Sequence, residues 1–268
     1  GFDLNAVRLI FAGTALHNEF SYKIQTDLRQ DGGSSNLLDA YLTWHVCDWA
    51  DLRMGQWKTP ISRQYNTSIA NLQFADRSNA SDVFTVGRQP GAMVDFHTED
   101  DQFALGIALW NGPSTGEGIN EGPSGTDMAW SGALRWNAMG EIDPYSETDV
   151  DYSEDHGLTF GLGYFYSDDQ VTGDILSGKV KTNVMSIDGM WKYQGFSLAA
   201  EYYMASIDAD MRGEKFEPSG FYAQAGYFFE PEVWEVAGRW DYVDCDNGVD
   251  DFKGTCTGYD KQQIAELS

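Results

Sequence analysis

The sequence predicts an all-β fold, a transmembrane antiparallel β-barrel that forms a single domain over residues 1–268. Three observations lead to this prediction. Alternating apolar and polar segments recur along the whole chain, short and long connections follow one another, and the apolar faces end in aromatic residues. An aromatic content of 14% and 29 glycines suit strands joined by many turns. No run approaches the roughly 20 apolar residues that a membrane helix requires.

The stretch FSYKIQTDLR at 20–29 shows the alternation that defines each strand. Phe20 and Ile24 point to one side, whereas Lys23 and Gln25 point to the other. The same pattern predicts strands at 4–11, 19–28, 37–46, 51–58, 92–98, 102–111, 129–138, 157–166, 182–193, 195–206, 219–229, 232–243 and 259–268. Most of these segments are near the roughly 10 residues that a tilted strand needs to cross a bilayer.

The connections between these strands alternate in length. Short connections are expected at 47–50, 98–101, 194–195 and 230–231, and long polar ones at 59–91, 112–128, 167–181, 207–218 and 244–258. Short turns at one end and long loops at the other are typical of outer-membrane barrels, whereas a Greek-key sandwich has no reason to keep that order. The connection at 139–156 is an exception, because it is long where a short turn is expected.

The alternation alone does not say which face of the sheet is dry, since a soluble β-domain would turn the apolar residues inward. Two features favour lipid on the apolar side. That side ends in interfacial aromatics at Trp44, Trp136, Tyr166, Trp240 and Tyr242. The opposite side carries full charges in mid-strand beside Gly and Ala, which suits a wet lumen. We therefore expect Ile24, Leu42, Leu105 and Leu198 to face lipid.

The net charge of −25 argues against a nucleic-acid partner, which requires a basic surface. The predicted lumen wall is nevertheless balanced. Its basic members are Arg8, Lys23, Arg29, Arg53, Arg135, Lys192 and Arg239, and its acidic members are Asp27, Asp39, Asp188, Glu201, Glu235, Asp241 and Glu266. The excess acid therefore belongs to loops, turns and strand edges.

The long connection at 59–91 differs from the others because it leans basic. It contains Arg63, Arg77 and Arg88, and Arg53 and Lys58 lie just before it. Folded into the lumen, these five side chains would form a constriction that biases ion passage. The alternative is an outer loop whose arginines pair locally.

Cysteines and histidines give weaker signals. Cys245 and Cys256 bracket a polar segment and are candidates for a disulfide-closed loop, which leaves Cys47 free or paired outside this chain. The residues Asp244, Asp246, Asp250 and Asp251 form a candidate Ca²⁺ site, with a solvated acidic loop as the alternative. The 4 histidines show no metal spacing and no nucleophile signature is present, so neither an enzyme nor a cofactor is predicted.

Three blocks of sequence resemble the phosphate-selective porin O and P family: DLRMGQWKTPISRQY at 51–65, FADRS at 74–78 and VGRQPGAMV at 86–94. Further matches are LLDAYLTW at 37–44, FSLAAEYY at 196–203, GFYAQAGYFF at 220–229 and GRWDYVD at 238–244. The resemblance implies a trimeric outer-membrane barrel of 16 strands, with about 13 in this chain and both ends truncated, and a segment matching 59–91 that narrows the pore. With 17 basic residues and a balanced wall, the chain does not support the phosphate specificity of some members.

The sequence thus predicts a passive porin of the bacterial outer membrane that lets small ions and solutes diffuse, with an anion preference. Its expected partners are the lipid bilayer, lipopolysaccharide and two further copies of the chain. Two alternatives remain. One is a structural or surface-interaction barrel that binds through acidic outer loops, and the other is a soluble β-domain that binds carbohydrate through its aromatic residues.

Overall fold

The computed structural model describes residues 7–28, 37–111, 128–171, 178–209, 214–245 and 261–267. These residues form a 14-stranded antiparallel sheet in which strands pair in chain order, except that β11 pairs with β10 off this path. The strands are β1 (Arg8–Ala15), β2 (Phe20–Asp27), β3 (Leu37–Cys47), β4 (Ala50–Lys58), β5 (Arg88–His97), β6 (Phe103–Trp110), β7 (Ala129–Met139), β8 (Gly157–Val171), β9 (Gly178–Tyr193), β10 (Phe196–Ala209), β11 (Glu214–Phe216), β12 (Ser219–Glu230), β13 (Trp234–Asp244) and β14 (Lys261–Leu267). The all-β barrel prediction is confirmed.

Short helices occur between β4 and β5. They are α1 (Arg63–Asn66), a 3₁₀ turn (Ile69–Asn71) and α2 (Asn79–Phe84). A serine side chain caps the start of each, at Ser62, Ser68 and Ser78. In the described part of the chain, no helix has the length and apolar character needed to cross a membrane.

Several predicted boundaries are wrong. The first strand, predicted at 4–11, runs from Arg8 to Ala15 among the described residues, and residues 4–6 lie outside them. Strand β5 begins at Arg88 rather than 92, so Arg88 lies on a strand instead of in the loop. Proline cannot donate a backbone hydrogen bond, yet the ladder between β4 and β5 continues through Pro90 opposite Gln56. Pairing with a neighbouring strand has overridden local propensity here.

The predicted loop at 167–181 is largely strand. The ladder between β8 and β9 runs on through Ser167↔Thr182 to Val171↔Gly178. Most of these residues are polar and therefore resemble a loop, but backbone hydrogen bonds between strands do not require apolar side chains. The three-residue strand β11 was not predicted for the same reason.

The apolar face of the sheet points outward. Ile24, Leu42, Leu105 and Leu198 are 46%, 47%, 40% and 49% exposed. Thr43, the polar residue next to Leu42 on β3, is 2% exposed and lies on the inner side of the sheet. A soluble β-domain would show the reverse, so the soluble alternative is wrong.

Aromatic residues border this outer face at both ends of the strands. At the short-turn end, rings stack between Phe20 and Trp44 and between Phe103 and Trp136. At the long-loop end, Trp130 packs on Tyr166, and Phe221 packs on Trp240 and Tyr242. Two aromatic belts separated by an apolar band are typical of a barrel that spans the outer membrane.

Candidate functional site

The connection between β4 and β5, residues 59–87, lies inside the barrel and is called the inward loop below. It leaves the wall at Lys58 and contacts the inner faces of β9, β10, β12 and β13, which the curl of the sheet brings around to it. Several charged residues predicted on the lumen wall contact this loop. The structure therefore gives those wall charges a role as anchors.

The first anchor holds the start of the inward loop. Arg63 is 2% exposed and forms an ion pair with Asp188 on β9. Its guanidinium also donates to the carbonyl oxygen of Thr159 at 3.4 Å. The carboxylate of Glu201 on β10 accepts hydrogen bonds from the backbone N–H groups of Arg63 and Gln64, both at 3.2 Å. The wall thus supplies acceptors for amides that α1 leaves unpaired.

The second anchor holds α2. The carboxylate of Asp241 on β13 accepts hydrogen bonds from the backbone N–H groups of Asn79 and Ala80, the latter at 3.2 Å. Arg239 on the same strand donates to the carbonyl oxygens of Asp76 and Arg77 at 2.9 and 3.2 Å. Charged wall groups therefore bind the backbone of the loop at the start of α2 and just before it.

Glu235, the third wall charge on β13, reaches a side chain of the loop. The Gln73 amide Nε2 donates to Glu235 Oε1 at 2.6 Å and to Ser197 Oγ at 2.9 Å. This contact ties the middle of the inward loop to the wall.

Apolar packing completes the attachment of α2. Ala80, Val83 and Phe84 are fully buried, and the Phe84 ring stacks on Tyr203 of β10 at a centroid distance of 5.5 Å. A Cβ at Gly220 would lie 2.8 Å from the Phe84 ring, so glycine is required for this approach. A small apolar core therefore lies between α2 and the wall.

Four predicted basic residues gather where the inward loop leaves and rejoins the wall. Lys58 Nζ donates to the carbonyl oxygens of Tyr65 and Thr67, and Arg77 donates to the same Thr67 oxygen at 2.7 Å. Burial lowers the pKa of the Arg77 guanidinium, and the nearby charges of Arg8 and Arg88 lower it further. Tyr65 and Asp82 raise the same pKa and so oppose this effect. Arg8, Lys58, Arg77 and Arg88 therefore form one basic cluster.

Part of this basic cluster is neutralised by carboxylates of the wall. Arg88 Nε donates to Asp39 at 2.8 Å, and Lys23 Nζ lies 3.2 Å from the other oxygen of the same carboxylate. Arg8 lies 3.9 Å from Asp27. Lys58 and Arg77 are instead bound by neutral carbonyl groups.

Two wall arginines lie away from this cluster. Arg53 Nε donates to Thr43 Oγ1 at 3.2 Å, and its guanidinium lies over the rings of Tyr41 and Trp57 at 4.7 and 5.7 Å. Arg135 donates to the Tyr145 hydroxyl at 3.3 Å and lies 4.8 Å from the centre of that ring.

A cavity of ≈ 70 Å³ opens between the inward loop and the wall at the level of Arg135. Its charged lining residues are Arg63, Asp95, Arg135 and Asp188. Asp95 was not among the predicted wall residues, although it lies in mid-strand on β5 between the apolar residues Val94 and Phe96 and so could have been found by the alternation.

The remaining predicted residues are only partly described. Lys192 is 6% exposed, on the inner face of β9. Arg29 lies outside the described residues, and Glu266 is described only through its backbone in β14.

The cysteine and calcium predictions lie at the edge of the described part. Cys245 is disulfide-bonded and Cys47 is free. Cys256 lies outside the described residues, as do all the candidate calcium ligands except Asp244, which accepts a hydrogen bond from the Tyr242 hydroxyl at 3.3 Å. Over the residues that the structure describes, no group of three or more His, Cys, Asp or Glu side chains could hold a metal ion.

The sequence did not indicate which wall charges bind the loop. Asp188 has a side-chain partner, but Glu201, Asp241 and Arg239 bind backbone groups, and a backbone group leaves no residue-type signal in the sequence. The only available signal was the presence of full charges at mid-strand positions beside small residues.

Comparison with known proteins adds the family context. The family model described as phosphate-selective porin O and P matches residues 1–259. No curated protein is significantly similar in sequence. Among solved structures, in-vitro folded OmpT of Vibrio cholerae is 14% identical with a TM-score of 0.42, covering 98% of this chain and 87% of its own. A loop L8 deletion mutant of OmpT from the same organism is 15% identical with a TM-score of 0.43, covering 97% and 88%.

Proposed function

The chain belongs to the phosphate-selective porin O and P family of the bacterial outer membrane, and from that premise we propose that it is a passive diffusion porin with an anion preference. Small ions and solutes pass through the lumen past the inward loop, with no catalytic step and no cofactor. The apolar outer face contacts the lipid bilayer. We include in the proposal a homotrimer and contact of the acidic outer loops with lipopolysaccharide, bridged by divalent cations such as Ca²⁺.

The observation that carries the anion preference is the way three lumen arginines are bound. Arg53, Arg77 and Arg135 are held by hydroxyl groups, carbonyl oxygens and aromatic rings. Within the described ranges none of the three forms an ion pair with a carboxylate, unlike Arg63 and Arg88. Their charges therefore remain available to passing ions, and unneutralised charge in a narrow passage biases ion selection.

The acidic residues of the lumen wall oppose this bias less than their number suggests. Asp39 is shared by Lys23 and Arg88, and Asp188 is paired with Arg63. Glu201 and Asp241 are 1% and 3% exposed where they bind backbone amides of the inward loop. Asp95 is a wall carboxylate that faces the same cavity as Arg135.

Ion preference can be measured from the reversal potential of the purified protein in planar bilayers under a salt gradient. The double variant R53Q/R135Q should lower the anion-to-cation permeability ratio roughly twofold or more, because it removes two unpaired lumen charges. The control is K215Q, which removes one positive charge from an exposed residue already paired with Glu217, and should leave the ratio unchanged. A wild-type protein that inserts but stays silent would favour the surface-interaction barrel instead.

A further inference from the structure

The connection between β7 and β8, residues 140–156, also enters the barrel and is called the turn segment below. It starts at the short-turn end, where the neighbouring connections at 98–102 and 194–195 are brief. It contains seven acidic residues and neither Lys nor Arg: Glu141, Asp143, Glu147, Asp149, Asp151, Glu154 and Asp155. Glu147 and Asp149 are 3% and 2% exposed, and these buried carboxylates mark its two attachments.

The first attachment fixes the turn segment to the short turn between β9 and β10. Asp149 accepts hydrogen bonds from the backbone N–H groups of Gly195 at 2.7 Å and Ser153 at 3.2 Å. The N–H of Gln194 donates to the Ser153 carbonyl at 2.9 Å. Gly195 has a φ of 82° and lies against the Tyr152 ring, so a larger residue would fit neither its backbone conformation nor its surroundings.

The second attachment joins the turn segment to the inward loop in the middle of the lumen. The Glu147 carboxylate accepts hydrogen bonds at 2.9 Å from Gln64 Nε2, from the backbone N–H of Gln73 and from Gln224 Nε2 on β12. The backbone N–H of Glu147 donates to the Asn71 carbonyl at 3.0 Å. One buried carboxylate thus connects the turn segment, the inward loop and the wall.

We propose that the turn segment is a second constriction of the pore, inserted from the mouth opposite to the inward loop, and that Glu147 is the positioning residue that holds it there. The inference rests on the proposed porin function. The inward loop has its own anchors at Asp188, Glu201 and Asp241. Loss of the Glu147 contacts therefore releases the middle of the turn segment from the lumen, while Asp149 still holds its far end and the inward loop stays in place.

The contacts between the turn segment and the barrel wall support the proposal that this segment forms a constriction of its own. Tyr145 lies under Arg135 on β7, and the hydroxyl of Tyr152 lies 3.5 Å from that of Tyr227 on β12. The segment therefore reaches from β7 to β12 and crosses the lumen. An ion that passes the inward loop meets this acidic segment before it leaves through the short-turn mouth.

The test is single-channel conductance in planar bilayers of the wild type, E147Q and a variant in which residues 141–155 are replaced by Asn-Gly. A Gln side chain at 147 keeps one acceptor oxygen, but its Nε2 group faces at least one of the three N–H groups that donate to the Glu147 carboxylate. Each hydrogen bond to a charged acceptor contributes a factor of about ten, so the released state of the segment becomes roughly tenfold more populated. We expect roughly a twofold or greater rise in open-channel conductance for the Asn-Gly variant and brief openings to that level for E147Q.

The matched control is E141Q, which removes the same charge from an exposed position of the same segment, keeps the Glu147 contacts and should show no openings to the level of the Asn-Gly variant. A conducting wild type whose conductance is unchanged in both E147Q and the Asn-Gly variant overturns the inference and leaves the porin function standing. Equal rises in E141Q and E147Q overturn it too, since charge alone would then explain the effect. Silence of both the wild type and the Asn-Gly variant, after insertion is verified, removes the porin function and the inference together.

Discussion

The inward loop and the turn segment occupy the same lumen but are held by opposite chemistry. The inward loop presents backbone N–H groups and Arg63, and carboxylates of the wall accept from them. The turn segment brings its own carboxylates, Glu147 and Asp149, and the wall and the inward loop donate to them. A lumen charge can therefore serve to hold an inserted segment, so a count of charges on the wall does not give the electric field that an ion meets.

The largest effect on this comparison is expected at the entry of the inward loop. Replacing Asp188 with Ala leaves the guanidinium of Arg63 buried without its carboxylate, which costs about 3–5 kcal/mol of stability when an ion pair is this deeply buried. Urea unfolding of the barrel in detergent or lipid measures the change in the free energy of unfolding. The double variant R63A/D188A removes both charges and should recover much of the loss. Equal losses in the single and the double variant would contradict the proposed anchor.

A smaller effect is expected at the base of the turn segment. Asp149→Asn keeps one acceptor oxygen but loses the charge that three hydrogen-bond donors now share, at a cost of about 1–2 kcal/mol. The control Asp151→Asn removes the same charge from an exposed position two residues away. Unfolding free energies of the two variants separate the contacts from the charge. Indistinguishable values would mean that Asp149 does not hold the segment.

The sequence was sufficient to assign the faces of the barrel. Side chains of a strand alternate between the two faces, which places Leu42 outside and Thr43 inside. A register shift of one residue would move every side chain of the strand to the other face. Connection length predicted which end carries the turns. Strand extensions such as Ser167 to Val171 were missed, because most of their residues are polar and a ladder needs backbone partners and not apolar residues.

The sequence was less informative about the lumen. The basic character of the 59–91 region suggested ion selection, but Arg63 and Arg88 are paired with wall carboxylates in the structure. The partners of Glu201 and Asp241 are backbone groups far away in the chain, which no residue pattern reveals. The length of 139–156 was noticed, whereas its attachment through Glu147 depends on three partners that only the fold brings together.

The most direct test of the account is the accessibility of adjacent cysteines on β7, since the account requires Ala133 to line a conducting lumen and Leu134 to face lipid. Cysteine would replace each residue in turn in a C47S background, because Cys47 is free. A water-soluble anionic thiol reagent is then added to single open channels. The account predicts a stepwise fall in conductance for A133C and no change for L134C. A fall in conductance for L134C, with no change for A133C, would contradict the assignment of the two faces of the barrel.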